Sequence, residues 1–493
     1  MKNLIHTLLL CTLCARPCLS QNDGSARGTT DYRIETFGSA ATGDRTPFWI
    51  VSNRYGAVPL EAGNAYLRAG VFHRQPAGNG LRWGAGLDAI AVTPRYRNVY
   101  IRQIYAEIGY KCLNLTAGSK ENYTSLRDGN LSSGDLVHSS NARPVPEINL
   151  SVPRFTTVPY TKGSVQFRGD FAFGRSFDTG YLKAFNSVSR QHYINSVLWH
   201  HKSLHARFLD PRGHFPLTLT AGLRHHAQWG GTSTDPKEGV QPHSVKDLVR
   251  IVLGRSGGED ASLSAQKNVL GNHYGSYDLE IGYLHPLFDL HAYKQHYFDD
   301  PSGMELYNLP DGLYGIQVDM AHFPLINKIV LEYVYTKNQS GPVHYIIYDH
   351  SEYPGFGGGR DDYYNNEEYT TGVSYFNRSI GSPLITSPEY NRNGTTGFQN
   401  NRIRAWHAGI SGYFSGQVAY RLLLTRSEGW GTPTKPFLKK TADFACAAKI
   451  SCCHPRLEGW LFSGEIAADR GSIYGNNTGF ALSISKSGLL KRR

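Results

Sequence analysis

Past its first twenty residues the chain has no apolar run approaching the roughly 18 residues that a membrane-spanning helix needs, which excludes a polytopic helical membrane protein. Charge is sparse, at 18% of 493 residues, and Gly, at 53, outnumbers Lys and Arg together, at 51; neither a coiled coil nor a helical solenoid has such a composition. Cysteine is scarce as well. Three of the seven (Cys11, Cys14, Cys18) fall at the N-terminus, leaving Cys112, Cys446, Cys452 and Cys453. Four scattered thiols make no disulfide framework, and one cluster does not supply the two spaced pairs of a zinc site. Neighbours Cys452 and Cys453 would point to opposite faces of a strand, so any bridge would join one of them to Cys446 or Cys112; otherwise the four are small apolar filler. Aromatic residues, in contrast, abound: 31 Tyr, 22 Phe and 7 Trp exclude a disordered chain. Together with the glycines they point to a large all-β protein.

The N-terminus addresses the chain outward. Lys2 precedes the apolar stretch Leu4 to Ala15, and a small-residue exit follows, which is the pattern of a secretory signal over residues 1–20. The formal charge of +11 would fall to +9 with loss of Lys2 and Arg16. A basic secreted chain favours anionic lipid headgroups or acidic polysaccharide as partners, and argues against nucleic acid.

From about Tyr66 onward the hydrophobic period is two. Val165, Phe167, Gly169, Phe171 and Phe173 alternate with Ser164, Gln166, Arg168, Asp170 and Ala172; Leu217 to Trp229 alternate likewise. Similar runs recur at 81–92, 99–110, 277–284, 313–320, 326–337, 402–414, 418–425, 457–468 and 479–485. Charged residues on the polar face (Arg168 with Asp170, Arg82 with Asp88, Arg402 with Arg404) suit a wet lumen better than a dry sandwich core. Tyr96, Tyr100, Tyr105, Tyr110, Tyr333 and Tyr335 at strand ends suit the interfacial girdles of a closed transmembrane β-barrel, and a pitch of about 25 residues gives roughly 16–20 strands. The expected domains are the leader at 1–20, an N-terminal plug segment at 21–65 and the barrel at 66–490 with long surface loops. So wide a barrel needs filling. The expected plugs are the segment 21–65 and the insertions 232–275 and 338–371, and Val245, Leu248, Val249 and Val252 predict a short helix within 240–255.

Chemistry-bearing patterns are few. The acidic block 359–369 reads as a polar loop, a carbohydrate contact, or a catalytic or calcium site. His201 and His205 share a strand face but lie about 13 Å apart, too far for one metal ion. There is neither a nucleophile elbow nor a phosphate loop, so no enzyme activity, cofactor or metal is expected. Trp, Tyr and Arg beside Asn, Gln and Asp are what sugar recognition uses, since rings stack on pyranose faces while amides and guanidinium groups pair hydroxyls and carboxylates. The residues expected to bind polysaccharide are Trp229, Tyr363, Arg402, Arg404 and Trp406, with the last three on one face of one strand as a sugar strip.

Several runs carry a resemblance: Leu131-Ser-Ser-Gly-Asp-Leu, Asn141-Ala-Arg-Pro-Val-Pro-Glu-Ile, Leu198-Trp-His-His-Lys-Ser-Leu, Gln228-Trp-Gly-Gly, Asp311-Gly-Leu-Tyr-Gly, Glu332-Tyr-Val-Tyr-Thr-Lys-Asn-Gln-Ser-Gly, Asp362-Tyr-Tyr-Asn-Asn and Asn400-Asn-Arg-Ile. In order and number they resemble the capsule assembly Wzi family, in particular its Bacteroidetes-type members, over roughly 30–490. The resemblance implies an outer-membrane barrel of about eighteen strands with N-terminal helical elements plugging the periplasmic side. It also implies a lectin, not an enzyme, that tethers capsular polysaccharide at the cell surface, which the positive charge balance suggests is acidic; a diffusion porin is the competing expectation.

Overall fold

The computed structural model describes residues 28–94, 96–122, 128–339, 341 and 359–492. The expected leader lies outside these residues. The backbone forms one closed antiparallel barrel of 18 strands. In chain order the strands are β1 (Thr29–Arg45), β2 (Glu61–Gly78), β3 (Leu81–Thr93), β4 (Val99–Tyr110), β5 (Leu113–Ser119), β6 (Glu147–Thr157), β7 (Val165–Arg175), β8 (Leu198–Leu209) and β9 (Leu217–Trp229). They continue as β10 (Asn272–His285), β11 (Phe288–Phe298), β12 (Gly312–Asp319), β13 (Lys328–Tyr335), β14 (Ile403–Ser415), β15 (Val418–Gly431), β16 (Pro436–Cys452), β17 (Trp460–Gly471) and β18 (Thr478–Arg492). Each pairs with its sequence neighbours, and β18 closes on β1 from Thr42↔Thr478 to Thr29↔Arg492.

Connections at one end are short. At 79–80 both Asn79 (φ 51°) and Gly80 (φ 80°) adopt the left-handed region that a two-residue mirror-image turn requires. The other end carries the long connections 120–146, 176–197, 230–271 and 336–402. Short turns are periplasmic and long loops extracellular in such barrels, so both Thr29 and Arg492 lie at the periplasmic end.

Alternation sorts the wall as expected. Leu67, Val71, Phe171, Leu331 and Ile466 are exposed on the outside, while Arg68, Asp88, Arg224, Asp278, Glu332 and Glu465 are buried inside. The inward charges are paired: Arg224 donates to Asp278 at 2.7 Å and to Asp135 at 2.8 Å, and Arg421 meets Glu465 at 3.0 Å. Tyr333 lies against Trp406 at 4.4 Å on the outer face near the extracellular rim, as a girdle should. Tyr105 departs from that expectation: it points inward, where a Cβ on Gly86 would meet its ring at 2.5 Å. The four described Cys are free thiols.

The expected boundary at residue 66 is wrong. Thr29–Arg45 is a wall strand, paired with β2 from Thr29↔Arg74 onward, and among the described residues of the expected N-terminal plug only about Pro47–Leu60 enters the lumen. The outward face of β1 has Tyr32 and Ile34 at its periplasmic half but continues as Thr36, Gly38 and Ala40, small residues that break the hydrophobic signal. Within 47–60, helix α1 (Phe48–Val51) is buried whole. Phe48 N donates to Asp469 Oδ2 at 2.9 Å, and the Trp49 indole donates to Thr425 Oγ1 at 3.2 Å.

Most of the filling comes from loops. Leu131–Asn141 rises through the lumen toward the extracellular end, where Glu332 accepts from Ser132 Oγ (2.7 Å), Ser133 N (2.7 Å), Ser133 Oγ (2.5 Å) and Tyr293 OH (2.6 Å). Leu136 N donates to Gln295 Oε1 at 2.6 Å, and the Leu131 carbonyl meets His407 Nε2 at 2.7 Å. A second layer, residues 361–402, packs above it through Tyr363, Tyr364, Tyr369, Leu384 and Ile385. The expected plug at 232–275 is elsewhere. Its helices α3 (Val245–Leu253) and α4 (Leu263–Lys267) lie against the outer wall, where Ile251, Ala261 and Ala265 cover Ala227 and Trp229. A capping box starts α3, with Ser244 and Asp247 bonding reciprocally to each other's backbone N–H, so the short helix is well formed where the spacing placed it.

Two outcomes follow. Ile466→Arg, an outward position at the centre of β17, should cost about 2–4 kcal/mol of stability and reduce the heat-modifiable fraction on gels. Glu332→Ala leaves four luminal donors without their acceptor, each charge-assisted bond being worth about 1.5–3 kcal/mol. The variant should show conductance in planar bilayers where the parent chain is closed.

Candidate functional site

At the extracellular end, the β3–β4 turn, the returning chain at 143–146, helix α2 (Thr179–Phe185) and the Tyr375–Phe376 turn converge on a groove. Tyr96 meets Tyr181 edge-on at 5.8 Å, and Tyr181 lies 5.5 Å from Phe376. The Arg143 guanidinium is sandwiched between Tyr100 (3.6 Å) and Phe376 (4.1 Å). Arg97 is exposed and lies 5.8 Å from the Tyr96 ring. Gly180 permits this crowding, since a Cβ there would sit 2.8 Å from the Tyr96 hydroxyl. Two cavities, about 250 and about 280 Å³, share Tyr96 and Tyr181 as a common wall. The upper one is bordered by Pro59, Leu60, Glu61, Phe185 and Glu389, so the pair forms one groove leading to the mouth. Ring faces with an arginine and carboxylates between them can stack on pyranoses and pair their hydroxyl and acidic groups.

The five expected residues are not brought together. Arg402 lies just before β14 and is 1% exposed, so it belongs to the plug layer and not to a strand face. Arg404 and Trp406 do share a face, but it is the outer one: Arg404 pairs with Glu428, and Trp406, 62% exposed, belongs to the girdle. Trp229 is covered by α3 and α4. Tyr363 is fully buried, accepting from Asn308 Nδ2 at 2.6 Å and standing 4.8 Å from Tyr297. The three-residue strip therefore does not exist as one surface. It fails because period two assigns alternate residues to one side only while the strand lasts, and β14 begins after Arg402.

Of the acidic block, Asp362 is tied into the plug layer while Glu367 stays exposed. Asp362 accepts from Asn365 Nδ2 at 2.9 Å and from Asn401 Nδ2 at 2.5 Å. Beside it, burial pushes the Asp311 carboxyl up to about 7 despite N–H donors from Asn338 and Gln339. His201 is held between Glu147 (2.8 Å) and Asp170 (2.6 Å), and His205 by Asp278 (2.8 Å). Among the described residues no group of His, Cys, Asp and Glu is placed to hold a metal ion.

Eighteen strands whose outer face is apolar, whose inner face is charged and paired, and whose lumen is occupied by the chain's own loops define an outer-membrane β-barrel of the self-plugged kind. The chain belongs to the capsule assembly protein Wzi family, whose model matches residues 51–386. Its fold is similar to that of Wzi from Escherichia coli, described as an outer membrane protein involved in group 1 capsule assembly and a carbohydrate-binding β-barrel: TM-score 0.56 and 11% identity, over 92% of this chain and 83% of that one. Lower scores relate it to Acinetobacter baumannii OccAB2 (TM-score 0.48, 10% identity, 94% of this chain and 98% of that one) and Pseudomonas aeruginosa OccK5 (0.47, 9%, 94% and 98%). No curated protein sequence matches the chain.

Helix α2, which carries Tyr181 and Phe185, is joined to the Phe376 turn by Asp178, whose carboxylate accepts the Phe376 N–H at 3.2 Å. Burial raises this carboxyl to about 6, against the opposing pull of its N–H donors and the Arg143 charge. A folded-state value above the unfolded one means that the stabilising contribution is complete below about pH 4 and is lost as pH rises through about 6. Asp178→Asn keeps an acceptor without the charge. The variant should therefore lose this pH dependence and unfold at a higher temperature than the parent at pH 8, by on the order of 2 kcal/mol, in detergent melts between pH 5 and 8.

Proposed function

We propose that this barrel binds capsular polysaccharide at the Tyr96–Tyr181 groove and so holds the capsule at the cell surface. The observation that carries the reading is the groove itself: aromatic faces, Arg97 and Arg143 gathered where the lumen ends and the extracellular space begins. Binding, not passage, suits a lumen occupied by Leu131–Asn141 and residues 361–402. Binding, not hydrolysis, suits an acidic block whose Asp362 is spent on holding Asn365 and Asn401. Family membership and the carbohydrate binding described for the similar Escherichia coli Wzi fold support the same reading. The positive balance of the chain and the groove arginines favour an acidic polymer, whose affinity should fall as salt shortens the screening length to about 8 Å at physiological ionic strength.

Tyr96→Ala with Tyr181→Ala removes the shared wall. Each ring, once covered by a bound sugar, is worth about 2 kcal/mol, roughly thirtyfold in Kd. Cells carrying the double variant at normal barrel abundance should keep synthesising capsule but release it into the medium. Capsule that stays cell-bound in this strain and in a complete deletion would overturn the reading.

A further inference from the structure

The barrel wall is incomplete beside this groove. Strand β5 has seven residues between twelve in β4 and eleven in β6. At about 3.4 Å per residue and a tilt of about 40°, seven residues climb only about 18 Å, short of the apolar band of about 25 Å. The last pair is Ile104↔Ser119, so Tyr100–Gln103 has no strand partner on that side. Beyond Ser119 the chain turns into the lumen, where Lys120 meets Glu107 at 2.6 Å and Glu121 meets Arg68 at 3.1 Å. It returns as Arg143-Pro-Val-Pro, whose two prolines have no N–H with which to extend the sheet. The Ser119 hydroxyl donates to the Pro144 carbonyl at 3.0 Å and spans the base of the gap.

The lower cavity occupies this notch. Its lining runs from Tyr96, Arg97 and Tyr181 at the rim to Ile101 and Ile104, which are 55% and 53% exposed on the outer, lipid-facing side. One groove is thus continuous from the extracellular mouth, past aromatic rings and an exposed arginine, to the hydrocarbon of the outer leaflet. A water-borne glycan needs no such lower exit.

Resting on the reading of this groove as the glycan site, we propose that its ligand is amphiphilic: a phosphorylated glycolipid of the outer leaflet. Its sugars lie along Tyr96 and Tyr181, its anionic group lies at Arg97, and its acyl chains leave sideways over Ile101 and Ile104. The barrel would then hold surface glycan where glycan and membrane join.

The test uses the full-length barrel in detergent with two probes, rough lipopolysaccharide and the same molecule fully deacylated, and reads affinity by thermal shift and native mass spectrometry. The acylated probe should bind at least tenfold more tightly. Ile101→Trp, which fills the notch while keeping an apolar outer surface, should erase that preference, whereas Leu331→Trp on lipid-facing β13 should leave it intact. Equal affinity for the two probes, or the same loss in Leu331→Trp, overturns the lipid assignment even where deacylated glycan still binds. If the acylated probe binds and Tyr96→Ala with Tyr181→Ala changes nothing, the glycan reading falls instead, and this inference falls with it.

Discussion

The structure depends on how an eighteen-strand barrel fills a lumen that its own side chains are too short to span. The inward face is charged, so the filling has to be polar backbone as much as apolar side chain. Glu332 shows the solution in miniature: one wall carboxylate binds a backbone N–H and two hydroxyls of the luminal loop and a tyrosine of the wall. Gln295, His407 and Arg224 repeat the arrangement at other heights, each meeting the same loop from a different strand. The groove exists because this filling exists: Arg143, Tyr375 and Phe376, which make its inner wall, are parts of the chain that enters or caps the lumen.

The wall was legible to the extent that its outer face is strongly apolar. Phe171, Leu219, Leu331 and Ile466 announce their strands, whereas in β1 the outward Tyr32 and Ile34 give way to Thr36, Gly38 and Ala40, which do not. Closed lengths followed from repeat pitch, since every strand has to cross the same membrane. The direction in which a long insertion folds is a different matter. Residues 230–271 pack outside and residues 361–402 inside, although both contain Gly and Pro, because what decides is the polarity of the surface waiting for them.

The groove was illegible for a related reason. Tyr96 and Tyr100 looked like girdle residues, which they would be on a regular wall; the shortness of β5 and the turn at Ser119 redirect them into a cavity. Tyr181 and Phe376 stand nearly two hundred residues apart in the chain, and no periodicity links them. The motifs that carried the family resemblance, Leu131–Leu136, Asp362–Asn366 and Asn400–Ile403, turn out to be filling or its supports, which explains why they signalled kinship clearly and ligand contacts poorly.

The plug is stitched into the wall at both ends of every segment: Leu131–Asn141 hangs between β5 and β6, and residues 361–402 between β13 and β14. A cork on a single tether can be pulled out by its string and later reseated. Here the first and last strands are not part of the filling: Thr29 and Arg492 are zipped to each other at the seam. Traction on either of these strands would open the seam before it moved the filling, so a partner pulling on the seam gains no handle for uncorking the barrel.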